Sequence, residues 1–319
     1  MKQLLKGIRH FFRILSIMAK ELLLCTRYTG FISKSNRVIK WRLLLLAHSI
    51  EKGLSICDTR PDFGEKKAKD LLALLILSKA QQSDGINMYE YSEAVSVLKA
   101  YRQHRVEHNL DIEFLKDIDS VIDYNTQSFE AGFHEIDKNQ LLCKPELFLD
   151  LCKKRHSVRE YADYYVSDKD IIKALNIVQL APSACNRQMI KVFFSPKADA
   201  NRVLADYIPG NSGTRDEKAV YLFICVDRTA FDYYEVFQWY LNGGIFSAYL
   251  SLALTSNNIA NCIYQWPNNY HHNKEVKASL NIPQSMEIVS VISAGHYKEM
   301  VKVLSSARKS VEEYYCESY

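Results

Sequence analysis

The chain has 319 residues, 48% hydrophobic and 24% charged, which is enough for a substantial core and for two domains. Its formal net charge is +4, and the basic residues are interleaved with acidic ones, which excludes a massed nucleic-acid surface. Eight cysteines (Cys25, Cys57, Cys143, Cys152, Cys185, Cys225, Cys262 and Cys316) are irregularly spaced with no Cys-x-x-Cys pair, which argues against a metal site and for reduced thiols in a cytoplasmic protein.

In residues 1–28, Lys6, Arg9, Arg13 and Lys20 break up the apolar residues. No run approaches a membrane span, and no cleavage site of a signal peptide follows. Leu4, Leu5, Ile8, Phe11, Phe12, Leu15, Met18 and Leu22 fall at helical spacing, which predicts a basic amphipathic helix. Packing on its own domain is the commoner use of such a helix. The other is weak contact with an anionic membrane surface, which would make the protein peripheral at the inner membrane face.

Further helices are predicted over Trp41–His48, Lys66–Gln82, Tyr89–His104 and Asp111–Thr126, so residues 1–145 read as an α-helical unit. Between the first two, His48–Ser55 running on to Arg60–Gly64 reads as a polar loop punctuated by glycine and proline. It serves either as caps and ion pairs, or to bring His48, Glu51, Lys52 and Arg60 to a ligand or partner domain.

The pattern changes after Pro145. Ser167 is placed to cap a helix over Ile171–Leu180, and Phe231–Ser256 is a long apolar helical stretch. Met189–Ser195, Val220–Asp227, Asn261–Trp266 and Glu287–Ala294 read as strands, rich in β-branched and aromatic residues. Helices alternating with buried strands predict a central sheet flanked by helices over residues 146–319.

Four groups in this half carry chemistry. Arg155-His156-Ser157-Val158-Arg159 offers two planar donor forks and a hydroxyl, a set that suits phosphate. Pro182-Ser183-Ala184-Cys185-Asn186-Arg187-Gln188 ends a helix in a loop of small and polar residues that can approach a flat ring closely. Gly243-Gly244, after Asn242, costs about 1 kcal/mol per glycine in a helix interior, so close packing, a partner or a cofactor should compensate. Gly295 and Arg308 form the fourth group, near the C-terminus.

In this order the groups resemble the nitroreductase family. Arg155-x-Ser157-x-Arg159 is similar to its phosphate motif and Pro182-Ser183-x-x-Asn186-x-Gln188 to its flavin-edge loop. The helix with Gly243 and Gly244 resembles the family's dimer helix, Gln265-Trp266 the segment over the flavin, and Arg308 its C-terminal phosphate arginine. The resemblance implies an α+β nitroreductase-like fold with a central mixed sheet. It also implies a homodimer with FMN at the interface, bound by Arg155, His156, Ser157, Arg159, Pro182, Ser183, Ala184, Asn186, Gln188, Gln265, Trp266 and Arg308. NADH or NADPH would reduce the flavin, which would pass electrons to a small-molecule acceptor in a ping-pong cycle. No side chain need act as a catalyst.

The pattern departs from the family at Gly210–Gly213, where a usual asparagine and lysine find no counterpart, and at Asn257-Asn258, where a glycine often stands. Two rivals stay open: a flavin enzyme of this fold without nicotinamide chemistry, such as an oxidase or dehalogenase, and a degenerate domain serving as a scaffold. The helical first half, with His48-x-x-Glu51-Lys52-Gly53 and Arg60-Pro61-x-Phe63-Gly64, resembles a long-form bacterial subgroup associated with surface-polysaccharide biosynthesis. It is expected to cover the flavin pocket through Lys52 and Arg60.

Overall fold

A computed structural model describes residues 2–31, 36–56, 59–80, 88–122, 126–194, 204–208, 218–267 and 270–317. Cys57 and Gly210–Gly213 lie outside the described residues. The first half is helical, as expected: α1 (Lys2–Tyr28), α2 (Asn36–Leu54), α3 (Glu65–Ala80) and α4 (Met88–Glu107), followed by a short 3-10 helix, Glu113–Val121. Leu43 and Ile50 of α2, Leu71 and Leu75 of α3, Leu98 and Tyr101 of α4, and Leu115 and Ile118 close a core of their own.

The loop expected from His48 is instead the end of α2 as far as Leu54. Gly53 stays helical because it leaves room for the Phe63 ring, which a β-carbon there would strike. Glu51 turns inward and accepts from the Gly132 N–H at 3.3 Å. Lys52 is exposed, and exposed Arg60 lies 3.9 Å from Asp62. Among the described residues of the stretch predicted as a helix over Asp111–Thr126, Glu113–Val121 is helical, as a 3-10 helix.

The second half contains α5 (Pro145–Lys154), α6 (Asp168–Val178), α7 (Gln238–Ser256) and α8 (Tyr270–Ser279) around four strands. These are β1 (Ile190–Phe193), β2 (Val220–Asp227), β3 (Ile259–Gln265) and β4 (Met286–His296), in the order β1-β2-β4-β3. Every pairing between them is antiparallel. The parallel component expected of a mixed sheet is confined, among the described residues, to a bridge between Ser157 and Asn261. All eight β2 residues are buried, as their unbroken apolar run requires of a strand covered on both faces. Leu222 and Ile224 face α6 and α7, while Tyr221 and Phe223 face a second layer that includes Tyr161 and Val276.

Ser167 caps α6 by accepting from the Asp170 N–H. The apolar stretch from Phe231 begins with short 3-10 turns, and α7 itself starts at Gln238, after Phe237 at φ 72°. Asn257 and Asn258 close α7, and Asn258 takes φ 59°. Asparagine tolerates this left-handed conformation best after glycine, which accounts for its place where the family often has glycine.

A buried ionic cluster joins the two halves. Arg228, just past β2, donates to Glu21 of α1 at 2.7 and 3.0 Å and to Glu287 of β4 at 2.8 Å. Its guanidinium lies 4.6 Å from the Trp239 ring centre, and Trp41 of α2 donates to Thr229 next door at 3.0 Å. Burial opposes the charge on Arg228, but Glu21 and Glu287 outweigh it and raise its pKa. Lys277 is buried nearby, and burial lowers its pKa despite Glu287.

Replacing Arg228 with methionine strands two carboxylates in an apolar junction. The expected loss is roughly 3–5 kcal/mol, read as a shift in the urea midpoint. A shift under about 1 kcal/mol contradicts this role for the cluster.

Candidate functional site

The Arg155–Arg159 segment is laid along the open edge of β3. The Val158 N–H donates to the Asn261 carbonyl at 3.0 Å, and Val158 is buried. Asn261 is fixed in turn by Ser251 and Thr255 of α7, at 2.6 and 3.1 Å. Two residues on, the Tyr161 hydroxyl donates to the Val158 carbonyl at 2.9 Å and meets Ser293 at 2.6 Å. Gly295 is required here because a β-carbon would overlap the Tyr161 ring.

Ser157 and Arg159 thereby line a cleft of about 220 Å³ with Glu160, Lys298 and residues 300–304, including Lys302. Lys298 lies 3.2 Å from Glu160. Arg159 has only a 3.4 Å bond to the Ser157 carbonyl, and among the described residues neither it nor Arg155 has a carboxylate partner. Both are half-buried, and Arg155 is close enough to the Tyr297 hydroxyl to act on it electrostatically. His156 is exposed.

The Pro182–Gln188 loop lies between α6 and β1. Cys185, Asn186 and Gln188 all have positive φ, at 51°, 49° and 50°. Three such residues in four positions store strain that only a tightly determined loop sustains. The determinants are visible: the Ala184 N–H donates to Asn242 of α7 at 2.8 Å, the Gln188 N–H to Ser183 Oγ at 3.0 Å, and Gln188 Nε2 to Tyr89 of α4 at 2.7 Å. Arg187 is fully buried beneath the loop, bonded through its Nη1 to Glu235 at 2.9 Å and also to the Ala230 carbonyl. Burial works against ionisation of Glu235, but the Arg187 bonds outweigh it and hold its carboxyl below the ordinary range. Pro182, Ser183 and Gln188 line a second cleft, of about 150 Å³, with Phe246.

The arginines thus fall into two kinds. Arg187 and Arg228 are buried and saturated by carboxylates, so their charge is already matched. Arg155 and Arg159 are half-buried without a carboxylate partner among the described residues, and Arg159 lines a cationic cleft, which is the chemistry of an anion site.

The structure does not bring the two predicted motifs together within the chain. Ser157 flanks β3, whereas the loop runs into β1 at the opposite edge, about four strand spacings or roughly 19 Å away. Arg308 is exposed on the C-terminal arm and does not line the Arg159 cleft. Gln265 is exposed at the end of β3. Trp266 is built into the core, its edge on Phe223 and its indole N–H donated to Asn273.

Between these places lie apolar surfaces that the protomer leaves open. None of the ten α5 residues is buried, and its Leu147 and Phe148 are 68% and 63% exposed. Leu304, Val311 and Tyr314 of the arm and Tyr234 and Leu241 around the head of α7 are also exposed. The glycine pair divides between two tasks. Gly243 packs on Val289 of β4, which a β-carbon would approach at 2.8 Å, while Gly244 has nothing within 4 Å.

Tyr89, Asn242, Lys298 and Lys302 complete these surroundings. The sequence signals for them were a tyrosine opening α4, the polar residue ahead of the glycine pair, and the lysines after His296. Beneath Tyr89, burial and then the charge of Glu51 raise the Glu93 carboxyl to about 7.

The family model described as "Nitroreductase family" matches residues 152–210, the stretch holding both the Arg155–Arg159 segment and the Pro182–Gln188 loop. A putative nitroreductase from Bacillus subtilis is 17% identical, the match covering 55% of this chain and all of that one with a TM-score of 0.49. An FMN-dependent nitroreductase from Clostridium difficile R20291 is 19% identical, over 54% and 99% of the two chains, TM-score 0.46. A putative nitroreductase in complex with FMN from Desulfovibrio desulfuricans is 24% identical, over 54% and 96%, TM-score 0.45. No curated protein matches the chain.

Gly243→Ala is expected to cost about 1–3 kcal/mol in a chemical melt, through overpacking on Val289. Gly244→Ala should leave stability unchanged or raise it by up to about 1 kcal/mol, since it fills open space and favours helix. Equal losses at both would contradict the division. Because folding raises the Glu93 pKa from 4.5 to about 7, the stability tied to its protonated form is full below about pH 4.5 and is lost as pH rises through about 7. Glu93→Gln should flatten the stability profile across that window; an unchanged slope refutes the coupling.

Proposed function

We propose that this protein, which carries a nitroreductase-family domain behind a helical extension, is an FMN-dependent oxidoreductase that works as a homodimer. The observation that carries the reading is the pair of half-buried arginines, Arg155 and Arg159, on the segment laid against β3, neither of which has a carboxylate partner among the described residues. Arg159, with Ser157 and the lysines of the arm, lines a cleft that suits a phosphate group, and Arg155 stands four residues before it at the end of α5. The small residues and held backbone of Pro182–Gln188 fit the close approach of a flat ring.

Bound FMN would supply the redox chemistry, taking a hydride from NADH or NADPH and passing electrons to a second, small-molecule substrate in a ping-pong cycle. The chain's own residues bind, orient and exclude water. Arg155, Ser157 and Arg159, with His156 at the rim, would hold the phosphate. Pro182, Ser183, Ala184, Asn186 and Gln188 would lie along the ring edge. Because the two motifs lie at opposite edges of one sheet, we assign them to different protomers of one site. Arg308, exposed on its arm, would reach a phosphate only across such an interface. Open α5, the arm, and Gly244 are the surfaces a second protomer would cover.

The domain boundary is placed near Pro145, with residues 1–145 as the extension. The extension contacts the site through Tyr89 and α2, which packs on the Pro182–Gln188 loop. We assign that contact to holding the strained loop in shape. Trp266 would support the pocket floor from the core rather than stack freely.

The test is anaerobic spectroscopy of the protein loaded with FMN. Prompt bleaching of the flavin band by NADH or NADPH is expected. A flavin that binds but stays oxidised removes the nicotinamide step, and failure to take up FMN removes the enzyme reading. Arg155→Ala/Arg159→Ala should weaken FMN binding by about tenfold or more, with the melting profile preserved.

A further inference from the structure

Helix α1 does not pack on its own domain over most of its length. Residues 5–20 are exposed throughout, a rod of roughly 24 Å at about 1.5 Å per residue. Its burial against the body begins at its last turns, where Glu21 and Cys25, and Thr29 just beyond, are buried and Glu21 is clamped by Arg228. The packing expected of this amphipathic helix therefore stops at Glu21.

The exposed rod has two unlike faces. Leu5, Ile8, Phe11, Phe12, Leu15 and Met18 fall on one side at about 3.6 residues per turn, and Phe11 and Phe12 are 62% and 61% exposed. Lys6, Arg9 and Arg13 fall on the opposite side, where with His10 they surround one shallow depression. No aspartate or glutamate occurs before Glu21. The helix cannot cross a bilayer, since no helix among the described residues is long and apolar enough. A second copy of α1 would cover the apolar face but would leave the basic face without an anionic counterpart. An interface of acyl chains beneath anionic headgroups satisfies both faces at once.

We infer that α1 is a membrane-surface helix that docks the protein on anionic phospholipid, with its apolar side in the headgroup–acyl boundary. The Glu21–Arg228 clamp would then hold the body, and the cleft at the far half, at a fixed attitude to that surface. This inference is independent of flavin chemistry.

The test uses the full-length protein sedimented with vesicles of phosphatidylcholine alone or mixed equally with phosphatidylglycerol. Binding to the anionic vesicles should be at least about tenfold tighter and should weaken with salt. Phe11→Asp/Phe12→Asp and Arg9→Glu/Arg13→Glu should each reduce it by about tenfold or more. The melting profile should not change, because these side chains do not touch the body. Binding to neither vesicle, or equal binding to both with no effect of charge reversal, overturns the proposal. So does a concentration-dependent oligomer that forms without vesicles and disappears with Phe11→Asp/Phe12→Asp, which would assign the face to a second copy.

Discussion

Arg228 stands where four elements meet, and its two carboxylate partners come from opposite ends of the chain. Glu21 arrives on α1, Glu287 on β4, and Trp239 at the head of α7 presents its ring to the same guanidinium. Taking three charges out of water is costly, and only the close, multiple bonds observed here offset that cost. The consequence is geometric. Tying α1 to the end of the central strand fixes how the helical half sits on the sheet, and Trp41 bonding Thr229 reinforces the same joint. From that joint α2 and α4 reach the Pro182–Gln188 loop, where Tyr89 receives Gln188. The loop's left-handed residues persist because their surroundings over-determine them, from α7 through Asn242 on one side and from α4 on the other.

The same economy explains why the second half leaves so much apolar surface open. Its central strand β2 is covered on both faces, yet among the described residues no α5 residue is buried, Leu304, Val311 and Tyr314 of the arm are exposed, and Gly244 has nothing within 4 Å. The cationic cleft and the strained loop, each incomplete as a binding site, lie at opposite sheet edges. A two-fold arrangement would resolve both features, covering the apolar surfaces and supplying to each cleft the loop of the other protomer.

What was legible in the sequence tracks how locally each feature is determined. Val220–Asp227 read as a strand and is one to the residue, because an unbroken β-branched and aromatic run has no stable alternative to burial on both faces. His48–Gly53 misled because polar residues at the end of a helix look the same as those of a loop; what keeps them helical is Phe63, lying over Gly53. Asn258 looked like a departure until its φ showed that it does the work of a glycine. The arginines were the least legible. Arg187 and Arg228 find their acids 48 and 207 residues away, so nothing local distinguishes them from Arg155 and Arg159, whose charge stays unmatched. The association of Arg155–Arg159 with Pro182–Gln188 came from family resemblance alone, since no single protomer brings them together.

The sharing of one site between two protomers is the central claim, and a mixed dimer tests it most directly. One protomer would carry Arg155→Ala/Arg159→Ala and the other Ser183→Trp, which fills the cleft beside Phe246; differently tagged, they would be purified as the heterodimer and their FMN content measured. A shared site predicts one defective and one intact pocket, hence one tightly bound FMN per heterodimer, although each variant alone binds FMN only weakly as a homodimer. A heterodimer without FMN would place both motifs of each site on the same chain and contradict the account.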